Sequence, residues 1–490
     1  MKENSVKINY MMNTILKLSG FIFPLITFPY VSRVLSPIGI GKYSFAFSVI
    51  SYFTIFSQLG IPTHGIRICS KVRNDKEKLS QIVFELFCFN LMMVIITYIA
   101  FIISIIMIPR FNDDKAVLLV SSMSIIFSLF GMEWLYQALE QFSYITIRSL
   151  IFKIISVGAM FLCVKSEEDY VVYAGITVLA SVGSNILNFI NLRKYIKFSS
   201  LRKPNLKRHL KSIIMFFAMS VATTIYTNLD NVMLGFLSSD VEIGYYSAAV
   251  KIKTILVSVV TSLGVVLLPR LSYYVDKGRM KEFTELTVKA TKYIFITALS
   301  LSIYFGICAR ETIFILSGEQ FSNAILPMKI IMPTVFFIGL SNLTGIQILI
   351  PLGKEKYVLI SEIIGASIDI IINWLLIPTY GAIGATIGTT IAEAAVLLVQ
   401  LSCIKSLWIK IIRDIEFKRF IIPLFTSVIL LVVLENIDWI SSFFKLIVTA
   451  VSFYAVYGGG MLLMKEPLCC ELMENIKNAL LERAASNEED

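Results

Sequence analysis

The stretch IVFELFCFNLMMVIITYIAFIISIIMIP, residues 82–109, is apolar along nearly its whole length and contains a single charged residue, Glu85. A helix needs about 20 apolar residues to cross the hydrocarbon core of a bilayer, so this stretch is long enough to span a membrane. The whole chain has the same character, because 56 % of its 490 residues are hydrophobic and only 16 % are charged. Soluble domains contain about 25 % charged residues, so the composition excludes an ordinary soluble protein.

Apolar stretches of this kind follow one another along the chain. They are continuously apolar, whereas strands of a membrane barrel alternate over about 10 residues, so helices are expected. The predicted spans are residues 11–30, 42–60, 82–109, 116–138, 149–164, 170–192, 212–236, 244–268, 290–309, 326–351, 357–377, 383–404, 420–436 and 441–463. We expect the first span to be retained, since Lys17 interrupts it and no small-residue cleavage site follows. The sequence predicts an all-α polytopic membrane protein with about 14 transmembrane helices.

The basic residues predict the orientation of these spans. With the N-terminus in the cytoplasm, the cytoplasmic connectors contain several times more lysine and arginine than the outer loops. This bias is typical of cytoplasmic segments, so both termini are expected in the cytoplasm. The most basic connector, residues 193–211, is expected to lie on anionic lipid as a linker between domains, and no nucleic-acid partner is expected.

An internal repeat organises the chain. IGKYSFAF at residues 40–47 aligns with IGYYSAAV at residues 243–250, at an offset of 203 residues. Six spans separate the copies, so both have the same orientation, as in parallel repeats related by an axis along the membrane normal. We expect two six-helix lobes around a central cavity, then two extra helices and a cytoplasmic tail. The predicted boundaries are 1–203 for the N-terminal lobe, 204–408 for the C-terminal lobe, 409–464 for the extra helices and 465–490 for the tail.

Two parallel bundles with a cleft between them suit a transporter that exposes the cleft to each side of the membrane in turn. No GxxxxGK[ST] phosphate loop is present, so ATP hydrolysis by this chain is not expected. With two histidines and seven cysteines that lack paired spacing, no metal or other cofactor is expected either. The chain is therefore expected to be a transporter and not an enzyme.

Polar side chains inside the spans are the candidate substrate contacts, because ionisable groups at membrane depth usually face a bundle interior or an aqueous cavity. Lys251 has Ser247, Thr254, Ser258 and Ser262 at helical spacing on its face, and we expect this stripe to line the cavity. Asn231 belongs to a similar polar side of the span at 212–236.

Carboxylates within the spans are the candidates for ion coupling. Glu362, Asp369 and Asn373 form one stripe, and Glu393 lies in the next span. Burial raises the pKa of a carboxylate and a bound cation removes the desolvation cost, so such groups suit coupling to protons or Na⁺. Asp230 either caps the outer end of its span or pairs with Lys251.

Arg67, Arg148 and Arg270 lie at the predicted cytoplasmic ends of spans. Membrane topology alone accounts for arginine at these positions. As a functional alternative, they form an inner vestibule for phosphate groups, which guanidinium binds bidentately.

Several stretches together resemble the polysaccharide-repeat-unit flippases, which translocate O-antigen and capsule units, of the multidrug/oligosaccharidyl-lipid/polysaccharide exporter superfamily. They are FPLITFPYVSRVLSPIGIGKYSFA (23–46), GIRICSKVRNDKEKLS (65–80), EWLYQALEQFSYITIRSLIFKI (133–154), TNLDNVMLGFLSSDVEIGYYSAA (227–249), LLPRLS (267–272), GEQFSNA (318–324) and IPTYGAIGATIGTTIAE (377–393). The resemblance implies a polyprenyl-pyrophosphate-linked oligosaccharide as substrate, moved across the bacterial cytoplasmic membrane through a cationic cavity. Arg33, Lys251 and Arg270 fit such a cavity. The resemblance also implies coupling to a cation gradient, contact with membrane lipids, and polysaccharide polymerase and chain-length proteins as partners.

Two relatives in the same superfamily remain as alternatives. A multidrug/cation antiporter shares the architecture, but Lys251 argues against a cavity for cationic drugs. A flippase for lipid-linked peptidoglycan precursors is a closer alternative. Only substrate assays distinguish it from a flippase for polysaccharide repeat units. A membrane-embedded glycosyltransferase is disfavoured, since it needs acidic residues in sizeable outer loops and the predicted outer loops are short.

Overall fold

The computed structural model describes residues 6–197, 202–437, 441–471 and 473–474. Throughout these residues the chain folds into helices joined by short connections, with no strand among them. In a bilayer, a helix satisfies all of its backbone hydrogen bonds internally, which explains why apolar segments of this length adopt it. The predicted all-α polytopic class is thereby confirmed. Most of the predicted tail, residues 472 and 475–490, lies outside the described residues.

The helices are α1 Val6–Gln58, α2 Ile61–Lys71, α3 Lys76–Met107, α4 Pro109–Asp113, α5 Lys115–Gly131, α6 Glu133–Ala138, α7 Phe142–Cys163, α8 Tyr170–Val178, α9 Asn185–Asn191, α10 Lys207–Leu237, α11 Asp240–Thr261, α12 Gly264–Asp276, α13 Met280–Ile307, α14 Ala309–Leu316, α15 Ile325–Ile331, α16 Pro333–Asn342, α17 Glu355–Cys403, α18 Lys405–Arg413, α19 Lys418–Glu435 and α20 Ser442–Leu463. Short 3₁₀ or π segments extend or connect them at Glu167–Asp169, Leu179–Gly183, Leu192–Lys194, Glu319–Ala324 and Leu343–Leu349.

Nine helical segments of the described chain are long and apolar enough to cross a membrane, and up to eleven if two bent helix pairs each count as one span. Two of the nine contain a sharp break, at Ser36 within α1 (φ 58°) and at Gly381 within α17 (φ 53°). The predicted spans 11–30 and 42–60 lie on either side of Ser36. The exact number of fourteen crossings stays a prediction.

The chain divides into two compact units, Met1–Ser247 with Ile377–Ala382, and Ala248–Leu376 with Ile383–Asp490. In the first unit, the long α1 packs against α3, α5, α7 and α10. In the second unit, α13 packs against α16, α18 and α19, and α19 pairs with α20. The two predicted six-helix lobes, divided at residue 203, stay a proposal.

The described part of the basic connector is bound along the first turns of α3. The Lys197 backbone N–H donates to Ser80 Oγ at 2.8 Å, and the Arg202 N–H donates to Gln81 Oε1 at 2.8 Å. Residues 198–201 of the connector lie outside the described residues. These hydrogen bonds to α3 orient the connector as it enters α10. The sequence predicted a linker lying on lipid and did not predict these contacts.

The two histidines of the chain reinforce this junction. His64 Nε2 lies 2.9 Å from His209 Nδ1, and His209 Nε2 lies 2.9 Å from the Glu85 carboxylate. All three side chains are buried, and Arg208 also pairs with Glu85. The chain of contacts joins α2, α3 and the start of α10, and it satisfies a carboxylate that would otherwise be costly to bury.

Two glycines permit a reciprocal backbone contact within the first unit. A Cβ on Gly41 would lie 1.7 Å from the Asp240 carbonyl oxygen, and a Cβ on Gly244 would lie 2.1 Å from the Pro37 carbonyl oxygen. At the offset of 203 residues, Gly41 corresponds to Gly244 and Pro37 corresponds to Asp240. Each repeated segment therefore places its glycine against the carbonyl of the other, as equivalent segments do around a local two-fold axis.

We expect Gly244→Ala to lower the thermal midpoint of the purified protein, because the methyl group has no space beside the Pro37 backbone. Overpacking of this kind costs about 1–3 kcal/mol. Gly458→Ala is the matched control, since nothing lies within 4 Å of a Cβ at that helical position. Thermal unfolding followed by fluorescence measures both. A midpoint of Gly244→Ala at or above that of the wild type would contradict the close contact.

Candidate functional site

The predicted arginines lie in different surroundings. Arg33, Arg67 and Arg270 are exposed, and the Arg33 guanidinium donates to the Pro29 carbonyl oxygen on its own helix. Arg148 is buried and donates to the Ser184 carbonyl oxygen at 2.9 Å. The structure thus places one of the three proposed vestibule arginines inside the first unit and the other two on the surface of their units.

Lys251 is half-buried on α11, in the part of that helix that belongs to the second unit. Two hydroxyls of its predicted stripe donate to carbonyl oxygens of their own helix, Thr254 to Val250 at 2.8 Å and Ser258 to Ile255 at 2.6 Å. These bonds satisfy the hydroxyl protons and leave oxygen lone pairs available. The stripe is therefore able to accept further hydrogen bonds without breaking any of its own.

Asp230 and Asn231 connect α10 to its neighbours in the first unit. Asp230 is buried and accepts a hydrogen bond from the Tyr246 hydroxyl. The Asn231 amide donates to Ser48 Oγ at 3.1 Å, and its carbonyl oxygen accepts from Ser247 at 3.5 Å. Both side chains therefore join helices, in addition to any role that they have in transport.

The coupling candidates on α17 lie in the second unit. Asp369 and Asn373 are buried beside Gly388, where a Cβ would lie 2.2 Å from Asn373 Oδ1 and 3.1 Å from Asp369 Oδ1. The two arms of α17 thus meet at the polar pair that the stripe pattern identified. Glu393 is also buried, and Glu362 is half-buried. A buried carboxylate favours either a proton or a bound cation, because the bare charge is costly away from water.

The first unit contains a cavity of about 310 Å³ that sequence analysis did not identify. Eight of its lining residues have polar atoms in their side chains: Gln58, Asn90, Ser128, Glu133, Trp134, Gln137, Ser181 and Asn185. Arg148 borders it, since its guanidinium contacts Asn185 Oδ1 at 3.5 Å and interacts electrostatically with Glu133. The one sequence feature that points to this cavity is the stretch EWLYQALE, which begins at Glu133 and also belongs to the family resemblance.

A second cavity of about 400 Å³ lies beside the first, and Ser181 and Val182 line both. Its polar lining consists of hydroxyl and amide groups: Tyr43, Ser51, Thr54, Ser121, Ser124, Thr177, Ser181, Thr224 and Asn228. None of its lining residues carries a charged side chain. The two cavities together follow the second half of α1 from Tyr43 to Gln58.

An ion cluster at the predicted outer ends of the helices is also new. Arg110 pairs with Asp240 and, at 3.0 Å, with Asp114, which lies 3.7 Å from Lys42 Nζ. Burial raises the pKa of Asp114, and the positive charges of Arg110 and Lys42 oppose that shift. The cluster lies next to the reciprocal glycine contact and holds the loop after α3 against the start of α11.

Glu242 extends these contacts to the break in α17. Its carboxylate accepts a hydrogen bond at 2.7 Å from the backbone N–H of Ala382, which follows Gly381. The bond satisfies one of the amide groups that a helix exposes at its beginning. Its partners are far apart in sequence, which is why residue spacing did not identify it.

The chain is similar to proteins of known family and fold. The family model described as "Polysaccharide biosynthesis protein" matches residues 6–275. A relative from Escherichia coli strain K12, named a "putative O-antigen transporter", is 23 % identical over 405 residues, which make up 82 % of this chain and 97 % of that protein.

Two solved structures are similar in fold. The lipid II flippase MurJ in an inward closed conformation matches with a TM-score of 0.72 at 15 % identity, over 95 % of this chain and 99 % of that one. An inward-facing multidrug resistance transporter of the MATE family, in the MOP superfamily, matches with a TM-score of 0.59 at 12 % identity, over 79 % of this chain and 94 % of that one. At such low identity these likenesses show the fold alone.

These findings confirm the family resemblance that the sequence motifs indicated. The family model covers more than half of the chain, and the helical fold extends over nearly all of it. The chain therefore belongs to the polysaccharide biosynthesis protein family and has the polytopic helical fold of these membrane transporters.

Proposed function

We propose that the chain is a flippase that moves polyprenyl-pyrophosphate-linked oligosaccharide repeat units across the bacterial cytoplasmic membrane by alternating access. The observation that carries this proposal is the match to a putative O-antigen transporter along nearly that protein's whole length. Membership in a polysaccharide biosynthesis family supports the same substrate class. In this alternating-access mechanism the two lobes move against each other. Both termini of the chain lie in the cytoplasm.

The positive groups of the chain suit the pyrophosphate of this substrate. A pyrophosphate cannot cross hydrocarbon unaided, because its charge would lose its hydration, and lysine or arginine side chains replace that hydration. Lys251 is the best candidate, since it is half-buried and shares its helix face with a stripe of hydroxyl side chains. Arg67 and Arg270 are accessible for a first contact at the cytoplasmic side, and Arg33 is accessible near the predicted outer end of its span. Arg148 provides positive charge next to the polar cavity.

The buried carboxylates suit coupling of transport to H⁺ or Na⁺. Asp369 and Glu393 are each buried in the second unit, and Glu362 and Asp230 are the further candidates. Binding of a cation removes the cost of holding a carboxylate away from water, and its release restores that cost. The energy difference between these two states would favour one conformation of the transporter over the other.

Deletion of the gene should cause polyprenyl-linked oligosaccharides to accumulate on the cytoplasmic side of the membrane, because the units are still assembled but not exported. Mass spectrometry of the extracted lipid fraction measures this pool. Expression of the wild-type gene from a plasmid should restore the normal level. A deletion strain that accumulates only peptidoglycan precursors would replace the proposed substrate with that alternative.

Lys251→Ala should reduce export at least tenfold without changing protein abundance, because an ionic contact to phosphate is lost. Such a contact contributes about 1.5–3 kcal/mol. Lys251→Arg should retain much of the activity, since it keeps the charge. Lys253→Ala is the matched control, because this residue is also half-buried but turned about 200° away around the helix. Full export by Lys251→Ala would remove this residue from the mechanism.

Asp369→Asn should weaken the dependence of transport on the ion gradient, since an amide neither binds a proton in this range nor carries the charge that attracts Na⁺. Uptake of a lipid-linked oligosaccharide into proteoliposomes, with and without an imposed gradient, measures the effect. Asp276→Asn is the control, because Asp276 is exposed at the end of α12. A gradient dependence equal to that of the wild type would assign coupling to another carboxylate.

A further inference from the structure

The 310 Å³ cavity of the first unit has the features of a binding site for an uncharged polar ligand. It combines one large aromatic surface, Trp134, with the carboxylate of Glu133 and the amides of Gln58 and Gln137. Binding sites for small molecules usually pair an apolar surface with a few polar groups that fix orientation. Neither the family match nor the sequence motifs assign a role to this cavity.

Two breaks in the backbone place these side chains around the cavity. Met132 has a φ of 39° between α5 and α6, directly before Glu133 and Trp134. Leu59 has a φ of 43° directly after Gln58. Residues other than glycine rarely adopt positive φ, and such strained positions are concentrated at ligand-binding and active sites. Leu59 and Met132 each lie next to a residue that lines the cavity.

The lining groups have unused hydrogen-bonding capacity. Asn90 donates to the Ser57 carbonyl oxygen at 2.7 Å and Asn185 donates to Phe127 at 3.2 Å, so these two amides mainly support the walls. Gln137 makes a 3.4 Å contact with Glu133, which leaves the second carboxylate oxygen available. Gln58 and the Trp134 indole N–H have no side-chain hydrogen-bond partner among the described residues.

The indole of Trp134 has a defined position. A Cβ on Gly65 would lie 2.5 Å from Trp134 Cε3, so one side of the ring rests against the backbone of α2. Trp134 is nevertheless part of the cavity lining and is 8 % exposed. A ring held in this way offers a rigid surface to a ligand at little cost in conformational entropy.

The size of the cavity favours a sugar over a bare cation. A water molecule occupies about 30 Å³ in the liquid, and a dehydrated monovalent cation is smaller, so either would leave most of the cavity empty. A pyranose ring has a C–H face that packs against an indole and an edge of hydroxyls that bonds to carboxylates and amides. Both kinds of surface are present here.

We propose that this cavity is a subsite for one pyranose ring of the transported glycan, with the ring packed on Trp134 and its hydroxyls bonded to Glu133, Gln137 and Gln58. The inference rests on the proposed function, because it assumes a glycan substrate. The adjacent cavity provides the path beyond the subsite. Its hydroxyl and amide groups form hydrogen bonds with sugar hydroxyls, and its lining residues carry no charge that would bind the sugar tightly. Selectivity for the sugar is thus located in the first unit, apart from the carboxylates of the second.

Binding of a lipid-free oligosaccharide tests the subsite separately from transport. The probe is the repeat-unit oligosaccharide prepared by partial acid hydrolysis of the source cell's own surface polysaccharide, titrated into the purified full-length protein by calorimetry. Glu133→Gln should weaken its affinity about tenfold, since a hydrogen bond to a charged acceptor becomes a neutral one. Trp134→Phe, which keeps an aromatic ring of smaller area, should weaken it about fivefold.

Two matched substitutions outside the cavity serve as controls. Glu140→Gln changes an exposed carboxylate near the end of α6, and Trp374→Phe changes an exposed ring on α17. Both should leave the affinity within twofold of the wild type. Thermal midpoints of all variants confirm that folding is retained.

Two results would overturn the subsite: no binding of the oligosaccharide by the wild type, or equal affinity in Glu133→Gln and the wild type. In the second case, loss in Glu133→Gln of stabilisation by NaCl would identify a cation site. Failure of the proposed function is recognised independently, because it appears as an unchanged lipid-linked pool in the deletion strain.

Discussion

The reciprocal contact between residues 37–41 and 240–244 is the constraint on which much of the first unit depends. Gly41 and Gly244 each lie so close to a carbonyl oxygen of the opposite segment that no other residue fits without movement. The break at Ser36 directs the chain into this contact, and Asp240 begins α11 beside it. The contact brings the start of α11 into the same compact unit as α1, although the two are far apart in sequence.

Charged side chains lie around this contact, at the ends of apolar helices, and pair with one another. Arg110, Asp114, Asp240 and Lys42 neutralise one another where the connections leave the spans. Buried charge is tolerated when it is paired, and costly when one partner is removed. In a transporter that alternates between two conformations, such a cluster stabilises the state in which it is intact.

The two units contribute different groups to the proposed mechanism. The first unit holds the cavities lined by hydroxyls, amides, Glu133 and Trp134, which suit the hydroxyl-rich part of a glycan. The second unit holds the buried carboxylates of α17, which suit a proton or a small cation. The half-buried Lys251 belongs to the second unit as well, within the helix that runs through both. Sugar recognition is thus proposed for the first unit, whereas the second unit holds the pyrophosphate contact Lys251 and most of the candidate coupling carboxylates, with Asp230 of the first unit as the exception.

The sequence by itself determined the membrane class, the helical architecture and the family. All of these depend on local composition, periodicity and short motifs, because a helix in a bilayer satisfies its backbone within one segment. The sequence also identified Asp369 and Asn373 as one face of a helix, since their spacing is a local property. Only the tertiary structure decided that Gly41 packs on Asp240, that Arg148 is buried beside Ser184, and that Gln58 and Glu133 border the same cavity. These partners lie on different helical segments. In a chain where nearly every helix is apolar, hydrophobicity does not indicate which faces meet; shape, backbone breaks and the pairing of buried polar groups do.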